Sequence, residues 1–462
     1  PACLIEELES DVAVRQQVMQ ARCDISSVLY GGLDKLVVVV GPSTVHDPRA
    51  AMEFAARLRT AAQACAQELV VVMNVNFETS ASAAGWKGLI NDPDLDGSCQ
   101  INKGFRQARQ LLLDINRLGL PTSTEYVDTI SPQFIADLVS WAAIGAGTAE
   151  SEAHRDLSSG LSTPVGFKNG SSGDSSAAIE AVSASAGPHA FLSVSKQGVA
   201  GIVETSGNRD CHVVLHGGTG GPNHSEEAVR GVCNSLAALQ LPARVMVDCG
   251  SYNARQSPSV QAEVAEGMAA RIAKGDECVF GLVLHSFLVS GRQDVVAGGA
   301  PVYGMSVTEP CLDWSATSAI LQKLAAAVRQ RRAASQSAAV ASAASANGVE
   351  RSLSFAELGE IDTDNLRVRM IRPLRPPACL IEELESDVAV RQQVMQARCD
   401  ISSVLYGGLD KLVVVVGPST VHDPRAAMEF AARLRTAAQA CAQELVVVMN
   451  VNFETSASAA GW

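Results

Sequence analysis

Short apolar runs alternate with amphipathic stretches along most of this chain. Eight runs, at 36–42, 69–77, 121–126, 142–147, 164–169, 211–217, 244–249 and 279–285, are rich in β-branched residues and nearly continuous in hydrophobicity. A strand with no polar face is one buried on both sides, as in a parallel sheet covered by helices. The stretches between them carry helical periodicity. Asp47-Pro48 is an N-cap followed by proline at the first helical position, and Phe54, Leu58, Ala61 and Cys65 then fall on one face. Phe105, Ala108, Leu112 and Ile115 make a second stripe closed by Gly119. Ile320, Leu324 and Val328 make a third, with Arg329, Arg331 and Arg332 against the negative helix end. Eight strand–helix alternations predict an α/β fold, a closed (β/α)8 TIM barrel rather than an open sheet. Two further runs, 191–195 and 201–205, flank Lys196-Gln197-Gly198 and predict an inserted β-hairpin.

The pattern then repeats. Residues 377–462 reproduce residues 1–86 without a difference, at an offset of 376 residues, far longer than a solenoid period. The chain therefore reads as a barrel at 1–332, an Ala/Ser linker at 333–351 whose alanines support some helix, and an N-terminal fragment of a second identical copy at 352–462. Such a chain, which starts at Pro1, is expected to be a window on a longer tandem polyprotein, with an assembly artefact as the alternative. The fragment carries only two strands, 412–418 and 445–453, which cannot close a barrel. It is expected to be unfolded, swapped or aggregation-prone. Its arm, 362–376, is different: the first copy has a vacant place for it, and it is expected to dock there in cis.

Charge narrows the partners. The net charge is −13 and no Lys/Arg cluster stands out, which argues against nucleic acid and anionic membranes. No apolar run approaches the ~18 residues of a membrane span. The twelve cysteines, three of them copies, are scattered with no CxxC pair. They read as small buried hydrophobes in a reducing compartment, cytoplasm or plastid.

Several motifs are highly specific. They are Gly85-Trp86-Lys87-Gly88-Leu89-Ile90-Asn91-Asp92-Pro93, Ser131-Pro132-Gln133, Gly166-Phe167-Lys168-Asn169-Gly170, Lys196-Gln197-Gly198 and Val203-Glu204-Thr205-Ser206-Gly207-Asn208. In order and spacing the chain resembles the microbial type I 3-deoxy-D-arabino-heptulosonate 7-phosphate (DAHP) synthases over nearly all of residues 1–332, and 364–376 resembles their N-terminal arm. The resemblance implies condensation of phosphoenolpyruvate with erythrose 4-phosphate, opening the shikimate pathway to aromatic amino acids. It also implies a divalent metal (Mn, Fe or Co) polarising the aldehyde, and Arg and Lys holding the anions.

The chain departs from that pattern where the chemistry would sit. The family's metal ligands, Cys, His, Glu and Asp, correspond to Ser43, Ser251, His285 and Glu309. Serine hydroxyls are weak ligands for a transition metal, so His285 and Glu309 remain as a residual metal pair, and metal is expected to be absent or weakly held. The family's anion-binding arginines fall at Asn74, Gly147 and His216, and its Lys-Pro-Arg-Thr run is Thr79-Ser80-Ala81-Ser82. Lys168 and Glu125 are retained as candidate catalytic residues, with Lys168, Ala146 and His216 as substrate contacts. Lys168 is a Schiff-base nucleophile or a leftover phosphate-binding residue, and Glu125 orients water or substrate. The 217–221 glycine run cradles phosphate or is a mobile loop. Pro132, Ser162 and Ser193 match an effector site between subunits. Two readings stay open. One is a pseudoenzyme acting as a structural or regulatory subunit, as a homo-oligomer or with active paralogues. The other is a feeble or altered aldolase-type enzyme.

Overall fold

The computed structural model describes residues 1–79, 85–294, 301–341 and 362–454. Eight parallel strands close a barrel: β1 Leu36–Gly41, β2 Leu69–Asn74, β3 Thr122–Tyr126, β4 Trp141–Ile144, β5 Val165–Lys168, β6 Cys211–Leu215, β7 Val245–Asp248 and β8 Val279–His285. Each strand pairs with its neighbours in sequence, and β8 returns to β1 with Gly41 beside His285. The expected fold is the fold found. Every residue of β1, β2, β6, β7 and β8 is buried, which is why those runs carry no polar alternation.

Local chemistry sets the helix starts. The Asp47 carboxylate accepts hydrogen bonds from the amides of Arg49 and Ala50, at 2.8 and 3.4 Å, and Pro48 opens the helix Pro48–Ala64. Its stripe turns inward: Phe54 and Leu58 are fully buried. Gly119 ends the helix Ile101–Arg117 with φ at 83°. The last helix, Trp314–Ala341, does not stop at the expected boundary of 332. It runs nine residues further because alanine is the strongest helix former. Residues 342–361, most of the expected linker, and Ser80, Ala81 and Ser82 lie outside the described residues.

The hairpin is present as Ala190–Val194 and Ala200–Thr205, and it carries a third strand from far down the chain. Val368–Pro373 pairs antiparallel with it, from Val368 opposite Thr205 to Pro373 opposite Gly201. A Cβ at Gly201 would stand 2.9 Å from the Arg372 carbonyl oxygen, so only glycine admits so close an approach. Three polar anchors hold this arm. Arg22, 4% exposed, donates from Nη1 to the Thr363 carbonyl at 2.6 Å. Lys196 Nζ lies 2.5 Å from Asp364 Oδ2, and Arg367 pairs with Asp210.

The chain forms two compact units, Pro1–Pro373 and Leu374–Trp462. The second holds helices Pro377–Glu383, Val388–Leu405 and Pro424–Ala440 and one parallel pair, Leu412–Val416 with Leu445–Met449. No residue of its three helices is buried. Among the described residues no helix is long and apolar enough to cross a membrane.

Candidate active site

Ser43, Asn74, Glu125, Gly147, Lys168, His216, Ser251 and His285 sit at or just beyond the C-terminal ends of barrel strands, the end where barrel enzymes keep their sites. Glu309 joins the metal-position quartet. Its amide donates to Ser43 Oγ at 3.2 Å, and its Oε2 accepts from Ser251 Oγ at 2.9 Å and lies 2.8 Å from His285 Nδ1. All four expected positions are therefore together. Ser43 also bonds the Thr308 hydroxyl at 2.5 Å, and Ser251 takes left-handed backbone, φ 43°.

Asp248, at the end of β7, closes the cluster from the other side, with Oδ2 3.2 Å from His285 Nε2. The imidazole thus has a carboxylate at each ring nitrogen. Burial alone would lower the His285 pKa, but Asp248 and Glu309 outweigh it and raise it well above the ordinary value. Burial alone would raise the two acids. His285 instead holds Asp248 down at about 2 and lowers Glu309. Gln261 fixes the strand end, accepting from His285 N at 2.7 Å and donating to its carbonyl at 3.0 Å.

A divalent metal fits this arrangement poorly. Nε2 is hydrogen-bonded to Asp248, Nδ1 is buried beside Glu309 without a hydrogen bond of its own, and Ser43 and Ser251 add only hydroxyls, which are weak ligands for a transition metal. Among the described residues no three His, Cys, Asp or Glu side chains are disposed to hold one.

Lys168 Nζ, at the end of β5, donates to Glu125 Oε2 at 2.6 Å. Burial would lower the ammonium pKa, but the Glu125 carboxylate and, beyond it, Asp248 raise it instead. That opposes the depressed pKa a Schiff-base lysine needs. His216 is buried; its amide donates to Asn169 Oδ1 at 2.8 Å, and its Nε2 lies 3.1 Å from the Asn169 carbonyl. Burial first, then the Lys168 charge, lowers its pKa and keeps it neutral. Asn74 is fixed, donating to the Pro42 carbonyl at 2.8 Å. Ala146 is half-buried and Gly147 exposed, and a Cβ at Gly147 would meet no atom within 4 Å. The 217–221 loop is not a phosphate cradle: the Gly218, Thr219 and Gly220 amides donate to the carbonyls of Gly221, Ser171 and Ser172.

Two groups escaped the sequence reading. Asn76 bridges Ser43 and Glu125, donating to the Ser43 carbonyl and accepting from the Glu125 amide. Glu78 is half-buried beside Ser131, Asn91 and Asp128; desolvation first, and the Asp128 charge next, pushes its pKa up to about 7. A carboxyl with a raised folded-state pKa stabilises below its unfolded pKa and loses that contribution as pH rises through about 7. Glu78→Gln is therefore expected to be more stable than the parent at pH 8, by about 2–3 kcal/mol, and to match it at pH 4. Denaturant melts at the two pH values check this; a gain of equal size at both would show that the carboxylate charge is not the cause.

Pro132, Ser162 and Ser193 also come together. They line a cavity of about 40 Å³ with Phe191, Lys196 and Asp364. Ser162 Oγ accepts the Leu366 amide at 2.9 Å, so the arm forms one wall.

Fold and strand-end cluster define the class, an aldolase-type (β/α)8 barrel. The DAHP synthetase I family matches residues 11–322 and again 387–462, and the chain belongs to that family. It is 46% identical over 332 residues to the Phe-sensitive phospho-2-dehydro-3-deoxyheptonate aldolase of Escherichia coli K12, covering 72% of this chain and 95% of that one. It is 43% identical over 334 residues to the phospho-2-dehydro-3-deoxyheptonate aldolase of Haemophilus influenzae, covering 72% of this chain and 92% of that one. The solved structure of the Francisella tularensis aldolase superposes with a TM-score of 0.70 at 41% identity, covering 72% and 96%.

Proposed function

We propose that this member of the family keeps the barrel but has lost, or nearly lost, the condensation of phosphoenolpyruvate with erythrose 4-phosphate, and serves as a structural or regulatory subunit. The observation that carries this reading is His285 held between Asp248 and Glu309. The side chains that would take a metal are occupied by one another, and Ser43 and Ser251 add only hydroxyls.

The anion side supports it. None of Asn74, Gly147 and His216 is cationic, and the Lys168 charge is paired with Glu125. Each charged hydrogen bond missing from a phosphate or carboxylate costs roughly 1.5–3 kcal/mol. Three such losses weaken binding by a factor on the order of 10³ or more. Pro132, Ser162 and Ser193 are the proposed effector contacts, completed by the arm, and subunit pairing with active paralogues is the proposed role. A second reading, altered aldolase chemistry, draws on the retained Lys168–Glu125 pair. The ion pair with Glu125 keeps the Lys168 ammonium charged, which suits it to anion binding.

Calorimetric titration of phosphoenolpyruvate, with and without Mn²⁺, tests the proposal. No saturable heat is expected below millimolar ligand. A dissociation constant in the micromolar range would remove its basis.

A further inference from the structure

Residues 1–78 and 377–454 have one sequence and two environments. Val14 is 2% exposed and its copy Val390 49%; Phe54 is 0% and Phe430 37%; Val39 is 0% and Val415 63%. The second segment therefore displays, uncovered, the same apolar face that the first buries against the rest of the barrel. Among the described residues, the surface complementary to that face is the rest of the barrel, residues 85–294 and 301–341, which the two segments match equally.

The arm places the second segment within reach of it. Val368–Pro373 runs along the hairpin toward its turn, ending with Pro373 opposite Gly201. The same turn holds the start of the first segment: the Ala2 amide donates to the Lys196 carbonyl at 2.8 Å. From Pro373 to that point is about two residues along the hairpin and one strand across, on the order of 10 Å. Ala378, the copy of Ala2, is five residues beyond Pro373, a reach of about 17 Å at full extension. Arg398 repeats Arg22 and would meet the same carbonyls, including Thr363 of the docked arm.

We infer that the two identical segments compete in cis for one barrel. Residues 377–454, led in by the docked arm, replace 1–78 and complete a circularly permuted barrel, and the displaced first segment becomes the uncovered one. Identical contacts leave the exchange nearly isoenergetic, so the balance rests on chain connectivity alone. The inference does not depend on whether the site is active.

A single buried charge makes the two segments distinguishable. Val38 is fully buried in β1, in register with Leu282 and Val71, and its copy is Val414. An aspartate there is incompatible with the core. Hydrogen exchange on the full-length Val38→Asp chain reads both strands at once, because their peptides now differ in mass. Residues 412–416 are expected to become protected by about 100-fold or more while 36–41 exchange freely. Val414→Asp should leave 36–41 protected, and the double variant should protect neither. Rapid exchange at 412–416 in the Val38→Asp chain, whether or not the barrel survives, would overturn the exchange.

Discussion

The quadruple variant Ser43→Cys, Ser251→His, His285→Glu and Glu309→Asp is expected to bind Mn²⁺ at least on the order of 100-fold more tightly than the parent, and still not to catalyse condensation. The first half follows from the geometry. Glu309 already touches the other three positions through its amide and its carboxylate, so the four side chains share one small volume. Replacing two hydroxyls by a thiolate and an imidazole supplies strong ligands. Removing His285 also dissolves the ion pairs that occupy Asp248 and Glu309. The second half follows from what the variant leaves alone. Asn74, Gly147 and His216 still offer no cation, and holding the two anionic reactants in place and stabilising their charge supply a large share of the rate of such a reaction. Calorimetry and a condensation assay on one preparation read both halves. Equal Mn²⁺ affinity in the parent would mean that His285 and Glu309 suffice as they stand.

Truncation separates the arm from the copy that follows it. A chain ending at residue 373 should melt within a few degrees of the parent, since no residue in the three helices of the second unit is buried. A chain ending at residue 341 should be destabilised by on the order of 5 kcal/mol, about 10 °C. Without the arm, Arg22 keeps a buried guanidinium but loses the Thr363 carbonyl, and the hairpin loses its third strand. Lys196 and Asp210 lose Asp364 and Arg367. Desolvated charges left without partners are among the costliest losses a fold can suffer. Indistinguishable melts for the two truncations would show that the arm adds nothing to the barrel.

The barrel was legible in the sequence because its eight strands are almost entirely buried runs whose hydrophobicity needs no knowledge of their partners. The Asp47 cap and the hairpin were legible for the same reason: both are decided within a few residues. The helix end was not, because the alanines past 332 favour helix as strongly as they resemble a linker. At the site, the metal-position quartet followed from spacing shared with the family. Asp248 and Asn76 did not, although both lie beside positions already under scrutiny. Asp248 meets His285 across 37 residues and Asn76 meets Glu125 across 49, and only strand order in the closed barrel brings them together. Glu78 was hidden differently. Its significance lies in burial beside Asp128, and neither residue announces a shifted carboxyl by type or spacing. A polar residue at the end of a buried strand was the available signal for Asp248.

The most direct measurement is DAHP formation from phosphoenolpyruvate and erythrose 4-phosphate by the purified full-length chain, with Mn²⁺ supplied, beside an active relative. The geometry predicts no turnover above background. Turnover within tenfold of the relative would contradict it, and would mean that the paired His285 and Lys168 clusters open to receive metal and substrate.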